Sequence, residues 1–231
     1  MRIVVVGSND RAEYLQEHAS PGVEVIARPP EGGPSTIESM VDEYEYIPGV
    51  LEVIQWAEEE GFDAVVTGCF GDPGIDAARE LVHIPVVAPG ETSMLIAAML
   101  GHSFSIVTPL ESVVRPLKKL AQAVGVSGKM VSVRVVGVPI EVIRRDHDRV
   151  LRRAIEVSRE CVQEDDADVI VMGCGSMSFY ATEIARAVGV PVINPMLTSL
   201  RVAEALVGAG LTHSKRAYPL PPKIGGYGEQ I

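Results

Sequence analysis

A chain of 231 residues, 47% hydrophobic and 22% charged, has the make-up of a folded globular protein, and its length fits one large domain or two of about 100 residues each. A formal net charge of -11 repels a phosphate backbone and argues against nucleic acid as a partner. Three cysteines, an odd number, argue against a disulfide framework and suit a reducing compartment.

The chain opens on a short β-branched run, Ile3 to Val6, that stops in Gly7-Ser8-Asn9-Asp10. The run is too short for a signal-peptide core and far too short to span a bilayer, so a cytoplasmic protein without membrane association is expected. Val23 to Ala27 reads as the next strand. Pro48 is expected to open a helix through Val50, Ile54 and Ala57 that Gly61 closes. A strand over Ala64 to Thr67 follows, and then Asp72-Pro73, read as an N-cap with proline at the first helical position. Val86 to Ala88, Ser105 to Thr108 and Val131 to Val136 are further strands. From Arg144 to Arg159, basic residues alternate with Asp146, Asp148 and Glu156, the pattern of a helix with one solvated face. Its apolar stripe holds Val150, Leu151, Ala154, Val157 and Cys161, which assigns Cys161 to packing. Val169 to Met172 and Val192 to Asn194 complete the strands. The tail from about Gly208 to Ile231, with its prolines and glycines, cannot be regular helix throughout. It is expected to pack back on the first half or to fray.

Apolar runs alternating with helical stretches point to parallel sheets covered by helices on both faces. Aligning the chain with itself sharpens this. Asp63-Ala64-Val65-Val66-Thr67-Gly68-Cys69 lies over Asp168-Val169-Ile170-Val171-Met172-Gly173-Cys174 at an offset of 105. Sixteen residues beyond Cys69 comes Pro85-Val86-Val87-Ala88-Pro89, and seventeen beyond Cys174 comes Pro191-Val192-Ile193-Asn194-Pro195. Met1 to Gly7 parallels Ser103 to Pro109 more faintly. The expected fold is therefore α/β, with two similar parallel-sheet domains related by pseudo-twofold symmetry and an active site in the cleft between them. The first domain runs over residues 1–97, with 208–231 packing back on it, and the second over 98–207.

In open parallel sheets, ligands collect at the carboxyl ends of strands. Cys69 and Cys174 both sit there. A thiol among free backbone N–H groups has its thiolate stabilised, so its pKa is expected to fall from about 8.5 toward neutrality, where a general base works. Two halves facing each other would bring the thiols to one reacting carbon from opposite sides. One thiolate could then remove a proton while the other thiol returns one to the far face, which is racemisation or epimerisation. The carbanion is held as an enolate, for which the turn amides of Phe70, Gly71, Gly175 and Ser176 are suitable donors.

Other chemistries fit less well. Pyridoxal phosphate needs a Schiff-base lysine, and the five lysines (118, 119, 129, 215 and 223) are remote in sequence from both Gly-Cys turns. No cofactor is expected. A zinc site would want further Cys or His at short spacing, which neither turn has. Gly173-Cys174-Gly175-Ser176-Met177-Ser178 resembles part of a dinucleotide fingerprint but lacks its third glycine and the downstream acid. The five histidines are scattered and read as ordinary surface or boundary residues.

These residues resemble the hydantoin racemases of the aspartate/glutamate racemase superfamily. Gly33-Pro34-Ser35-Thr36-Ile37-Glu38-Ser39, then Asp42-Glu43 and Pro48-Gly49-Val50-Leu51-Glu52, look like that family's first-half signature. Cys69-Phe70-Gly71-Asp72-Pro73-Gly74 with Ala78-Arg79-Glu80 looks like its first catalytic turn, and Gly173-Cys174-Gly175-Ser176-Met177 is similar to its second. The resemblance implies a cofactor-independent two-base racemase with Cys69 and Cys174 as the acid/base pair, acting on 5-substituted hydantoins or allantoin. It also implies a homo-oligomer. Members that act on free aspartate or glutamate typically follow the first cysteine with Asn-Thr and the second with Thr-His. Here Phe70-Gly71 and Gly175-Ser176 stand instead, which favours a neutral or cyclic amide. The family's Asn-Pro-Asn after the first strand appears as Gly7-Ser8-Asn9, so only Asn9 carries over as a substrate contact; Thr108, at the end of the second half's first strand, is a further polar contact.

Two other functions compete. A decarboxylase or cis-trans isomerase of the same superfamily needs only one thiol, as proton donor or nucleophile. A non-catalytic small-molecule-binding protein needs neither.

Overall fold

The computed structural model describes residues 1–143 and 145–225. Strands β1 (Arg2–Val6), β2 (Glu24–Arg28), β3 (Ala64–Val66) and β4 (Val86–Val87) form a parallel sheet in the order β2-β1-β3-β4. Strands β5 (Phe104–Thr108), β6 (Met130–Val135), β7 (Val169–Met172) and β8 (Val192–Ile193) form a second parallel sheet in the equivalent order β6-β5-β7-β8. Every run read as a strand is one, within a residue or two at its ends. The central strands are buried on both faces, Ile3 to Val6, Ala64 to Val66 and Val169 to Met172 all at 0% exposure. That is why they are continuous apolar runs rather than alternating ones.

The repeat is visible in the register. Ile3 pairs with Ala64, and Phe104 with Val169. Just before β3, the Asp63 carboxylate accepts the Arg2 N–H at 2.6 Å. Just before β7, the equivalent Asp168 accepts the N–H groups of His102 and Ser103 at 2.8 and 3.0 Å. Each aspartate thus pins the start of its neighbouring strand.

The helices are α1 (Asn9–His18), α2 (Met40–Glu59), α3 (Ile75–Leu81), α4 (Pro89–Leu100), α5 (Val114–Val124), α6 (Ile140–Ile143), α7 (His147–Gln163), α8 (Ala181–Val188), α9 (Pro195–Gly208) and α10 (Pro222–Gly225). On the first sheet, α2 and α3 cover one face, while α1 and α9 cover the other through Leu15, Met196, Leu200 and Ala203. On the second, α7 and α8 cover one face, while α4 and α5 cover the other through Met94, Ala97, Leu117 and Ala121. The last helix of each repeat therefore crosses to the sheet of the other. Cys161 lies fully buried between α7 and the second sheet, a packing residue as expected.

Two local expectations are corrected. Pro48 does not open α2; the helix starts at Met40, where the Ser39 hydroxyl accepts the Asp42 N–H at 3.2 Å, and Pro48 lies inside it. Proline removes one intrahelical donor, and the turn before it faces solvent, with Val41 and Tyr44 64% and 69% exposed, so water can serve the freed carbonyl. Nor does Asp72 cap the helix that follows it. That helix, α3, begins after Gly74. Asp72 takes a left-handed backbone (φ 53) and accepts the N–H groups of Gly90 and Glu91 at 2.8 and 2.6 Å. It is the cap of α4, whose own N-cap position holds Ala88, a residue with nothing to accept with. In the second repeat the matching position is Asn194, which caps α9 itself through the Leu197 N–H.

The tail returns to the first half. The Lys215 ammonium donates to the carbonyls of Arg79, Glu80 and Val82 at 2.7, 3.1 and 2.6 Å. His213 Nε2 lies 3.0 Å from both the N and the O of Val86 on β4. The expectation for residues 226–231 falls outside the described residues, as does Arg144 at the head of the charged stretch. Among the described residues, no helix is long and apolar enough to cross a membrane.

Candidate active site

The carboxyl ends of both sheets open on one cavity of about 430 Å³, within the size of pockets that hold small molecules. The turns after β1, β3, β5 and β7 all reach it, and the 29–37 segment after β2 forms another wall. Cys69, at the end of β3, and Cys174, at the end of β7, both line it. The internal repeat thus brings its two thiols to the same space.

The close fit around the first turn requires glycine. A methyl group on Gly68 would overlap the Val6 carbonyl oxygen and lie 2.8 Å from the Arg11 guanidinium. Arg11, on the first turn of α1, donates to the Gly68 carbonyl at 2.9 Å. It also reaches the second turn, since a methyl on Gly175 would stand 3.1 Å from Arg11 Nη2. One side chain therefore bridges both Gly-Cys turns. Beside the other thiol, a methyl on Gly71 would lie 2.7 Å from Glu43 Oε1 and 3.8 Å from Cys69 Sγ.

Seven of the eight expected site residues line the cavity: Cys69, Phe70, Gly71, Thr108, Cys174, Gly175 and Ser176. Phe70 also sinks into the core beside Met94 and Phe104. Thr108 is fully buried, and its hydroxyl points at the Gly173 carbonyl at 3.5 Å, against the second turn. Asn9 does not line the cavity. It is the exposed first residue of α1, and the strand-to-helix turn presents Ser8 and Arg11 in its place. Reading the sequence also assigned no site role to Arg11, Glu43 or Tyr46, all three of which line the cavity. Their signal was positional. Arg11 stands one turn into the helix that leaves the carboxyl end of β1, where open α/β sheets bind ligands.

The thiols are not lowered toward neutrality as expected. Each keeps some access to the cleft, but the surrounding protein desolvates the sulfur. Burial pushes Cys69 up to about 12, with the nearby charges of Glu43, Cys174 and Asp72 adding to the rise and the Gly71 N–H opposing it. Burial also raises Cys174, against the N–H groups of Ser176 and Met177, the Ser176 hydroxyl and the Arg11 charge. Backbone donors favour the thiolate as anticipated, but removal of water outweighs them. Burial likewise raises Glu43 and takes Tyr46 up to about 12.

Among the described residues, no three His, Cys, Asp or Glu side chains gather closely enough to hold a metal ion. No lysine among the described residues lines the cavity; Lys129, for example, donates to the carbonyls of Ala98 and Gly101 at 2.5 and 3.0 Å.

Comparison with known proteins gives the family and the fold. A family model described as Asp/Glu/Hydantoin racemase matches residues 10–203. A hydantoin racemase of Pseudomonas sp. (strain NS671) is 35% identical over 96% of this chain and 93% of its own. Among solved structures, an allantoin racemase from Klebsiella pneumoniae superposes with a TM-score of 0.91 at 32% identity, covering 96% of this chain and 94% of that one. One from Pseudomonas fluorescens gives the same TM-score of 0.91 at 30% identity, over 96% and 97% of the two chains.

Proposed function

The chain belongs to the Asp/Glu/Hydantoin racemase family, an isomerase by that membership, and from this premise we propose that it racemises 5-substituted hydantoins or allantoin by a two-base mechanism in which Cys69 and Cys174 exchange protons with the two faces of one carbon. A single observation carries the reading: equivalent thiols of the two repeats line one cavity. The cysteines are followed by Phe70-Gly71 and Gly175-Ser176, not by side chains suited to a free carboxylate, which favours a neutral or cyclic amide.

A thiolate on one side takes the proton from the ring carbon beside the carbonyl, and the electron pair moves into the carbonyl as an enolate. N–H groups of the two turns oppose the charge on that oxygen; a single such donor is worth about two to three orders of magnitude in rate in other enzymes. The thiol on the far side then donates its proton to the opposite face, and the enolate collapses to the mirror-image product. Bonds and charges balance without an electron acceptor, so this step calls for no redox partner.

Polarimetry of the purified protein with single enantiomers of 5-substituted hydantoins and of allantoin, with no cofactor added, tests this. Decay of rotation to zero is expected. Cys69→Ser and Cys174→Ser should each lower the rate by at least about 10²-fold, the usual contribution of a placed acid or base. A single variant can retain exchange of solvent deuterium into one enantiomer. Undiminished racemisation after either substitution would refute the two-base assignment. A flat trace with every ring substrate, together with turnover of an arylmalonate, would move the protein to decarboxylation with one thiol.

A further inference from the structure

The cavity is built from two equivalent repeats, yet its charges are not equivalent. Arg11 comes from α1 and bridges the two turns, with Nη1 donating to Gly68 O at 2.9 Å and Nη2 at 3.1 Å from a methyl position on Gly175, the residue after Cys174. Glu43 comes from α2 and stands on the other side, its Oε1 2.7 Å from a methyl position on Gly71 that is itself 3.8 Å from Cys69 Sγ. In the second repeat α5, which follows β5 as α1 follows β1, sends the apolar side chain of Leu117 to the cavity wall where α1 sends Arg11.

We propose that these side chains polarise the cleft, so that Cys174 is the thiol that ionises first in the substrate-free enzyme and Cys69 the one that keeps its proton, with Arg11 and Glu43 as the positioning residues that set the difference. The inference rests on the two-thiol reading above and adds a direction to it. A guanidinium near Cys174 stabilises a negative sulfur, whereas a carboxylate near Cys69 repels one and can accept its S–H. Around Cys69 the Gly71 N–H favours the thiolate, and Arg11 is engaged by the Gly68 carbonyl; against them the charges of Glu43 from α2, Asp72 beyond the turn and Cys174 across the cleft all oppose ionisation, and Tyr46 of α2 is neutral. Around Cys174, Arg11 and the Ser176 hydroxyl favour it.

The proton inventory then has a preferred start. The form ionised at Cys174 accepts the enantiomer whose C–H points at that sulfur. That C–H bond breaks toward the Cys174 sulfur, the Cys69 S–H bond breaks toward the opposite face, and the enzyme is left with Cys69 as thiolate and Cys174 as thiol. This reversed form takes the other enantiomer. It also returns to the Cys174-ionised form when Cys174 loses a proton to solvent and Cys69 gains one, an exchange made downhill by Arg11 and Glu43.

Alkylation of the substrate-free enzyme tests the assignment. Limiting iodoacetamide is added across a range of pH, and carboxamidomethylation at Cys69, Cys174 and the buried Cys161 is read by peptide mass spectrometry. The midpoint of the pH curve for Cys174 is expected to lie below that for Cys69 by a unit or more, which gives about tenfold faster labelling at neutral pH for each unit. Arg11→Gln should raise the Cys174 midpoint, and Arg11→Lys should restore most of it. Glu43→Gln should lower the Cys69 midpoint and leave that of Cys174 nearly in place. Because midpoints rather than absolute rates are compared, unequal access to reagent does not imitate the result; should Arg11→Gln fail to fold, the Glu43→Gln arm reads the same polarity. Equal midpoints, a lower midpoint for Cys69, or midpoints unmoved by the charge substitutions would overturn the proposal. The serine variants read by polarimetry report separately on the two-base reaction, so each idea can fail without the other.

Discussion

At the residue scale the site depends on close approach. Gly68 has no room for a side chain, because a methyl would meet the Val6 carbonyl and the Arg11 guanidinium together. Gly68→Ala should therefore destabilise the protein by about 1–3 kcal/mol, the usual cost of overpacking, and should reduce kcat as the Cys69 turn shifts. Urea denaturation and initial rates on the same sample check both effects; an unchanged midpoint with full activity would mean the turn has slack. A pH prediction follows from the raised thiols. With both sulfurs held above the ordinary value by burial, little thiolate exists in the free enzyme at neutral pH, and its fraction grows about tenfold per pH unit until the lower of the two midpoints is reached. The logarithm of kcat/KM, which reports the free enzyme, should climb with a slope near one on the acidic side after subtraction of the uncatalysed reaction. The two cysteines were legible because each repeat announces its own. Arg11 was not, since a lone arginine on a helix carries no pattern until the fold shows which strand end lies beneath it.

At the scale of elements, the strands could be read from sequence because burial on both faces leaves an unbroken apolar run, and the repeat supplied a second copy of each signal. The helix starts were harder, because their caps are tertiary. Asp72 looks like a local cap, with proline directly after it, but its carboxylate reaches across to α4, where Ala88 offers nothing. Pro48 looks like a helix start because the exposed turn before it carries no core-facing stripe. The two caps differ in what their loss exposes. Ser39→Ala removes a bond at an exposed site and should cost about 1 kcal/mol. Asp72→Ala strands the N–H groups of Gly90 and Glu91, the first of them fully inside, at about 1–3 kcal/mol for each buried donor. Thermal melts of the two variants should rank Asp72→Ala clearly below Ser39→Ala. The reverse order would mean that water reaches the start of α4.

At the scale of the whole molecule, the two repeats are legible as units of sequence but not as units of packing. Met196, Leu200 and Ala203 of α9 complete the core of the first sheet, while Met94 and Ala97 of α4 complete that of the second. A cut near residue 97 would leave the first sheet with one face stripped of α9, and the second without α4. The tail adds to the coupling, since His213 and Lys215 hold β4 and the end of α3 from beyond the second repeat. The halves should therefore unfold together. Trp56, the only tryptophan, packs against Phe62 in the first half and reports on that half alone, whereas far-UV circular dichroism reports on helices of both. Coincident denaturant curves from the two probes are the expected result, as for a single cooperative unit. The separately expressed segments 1–97 and 98–207 should show little native circular dichroism until mixed. Two resolved transitions, or a first segment that folds alone, would show that the crossing helices only decorate two independent cores. The catalytic geometry would then depend on a hinge between bodies rather than on one interlocked core. Opposite walls that each borrow a helix from the other repeat tie the cleft into one body, and the proposed proton relay through one shared carbon needs that constancy.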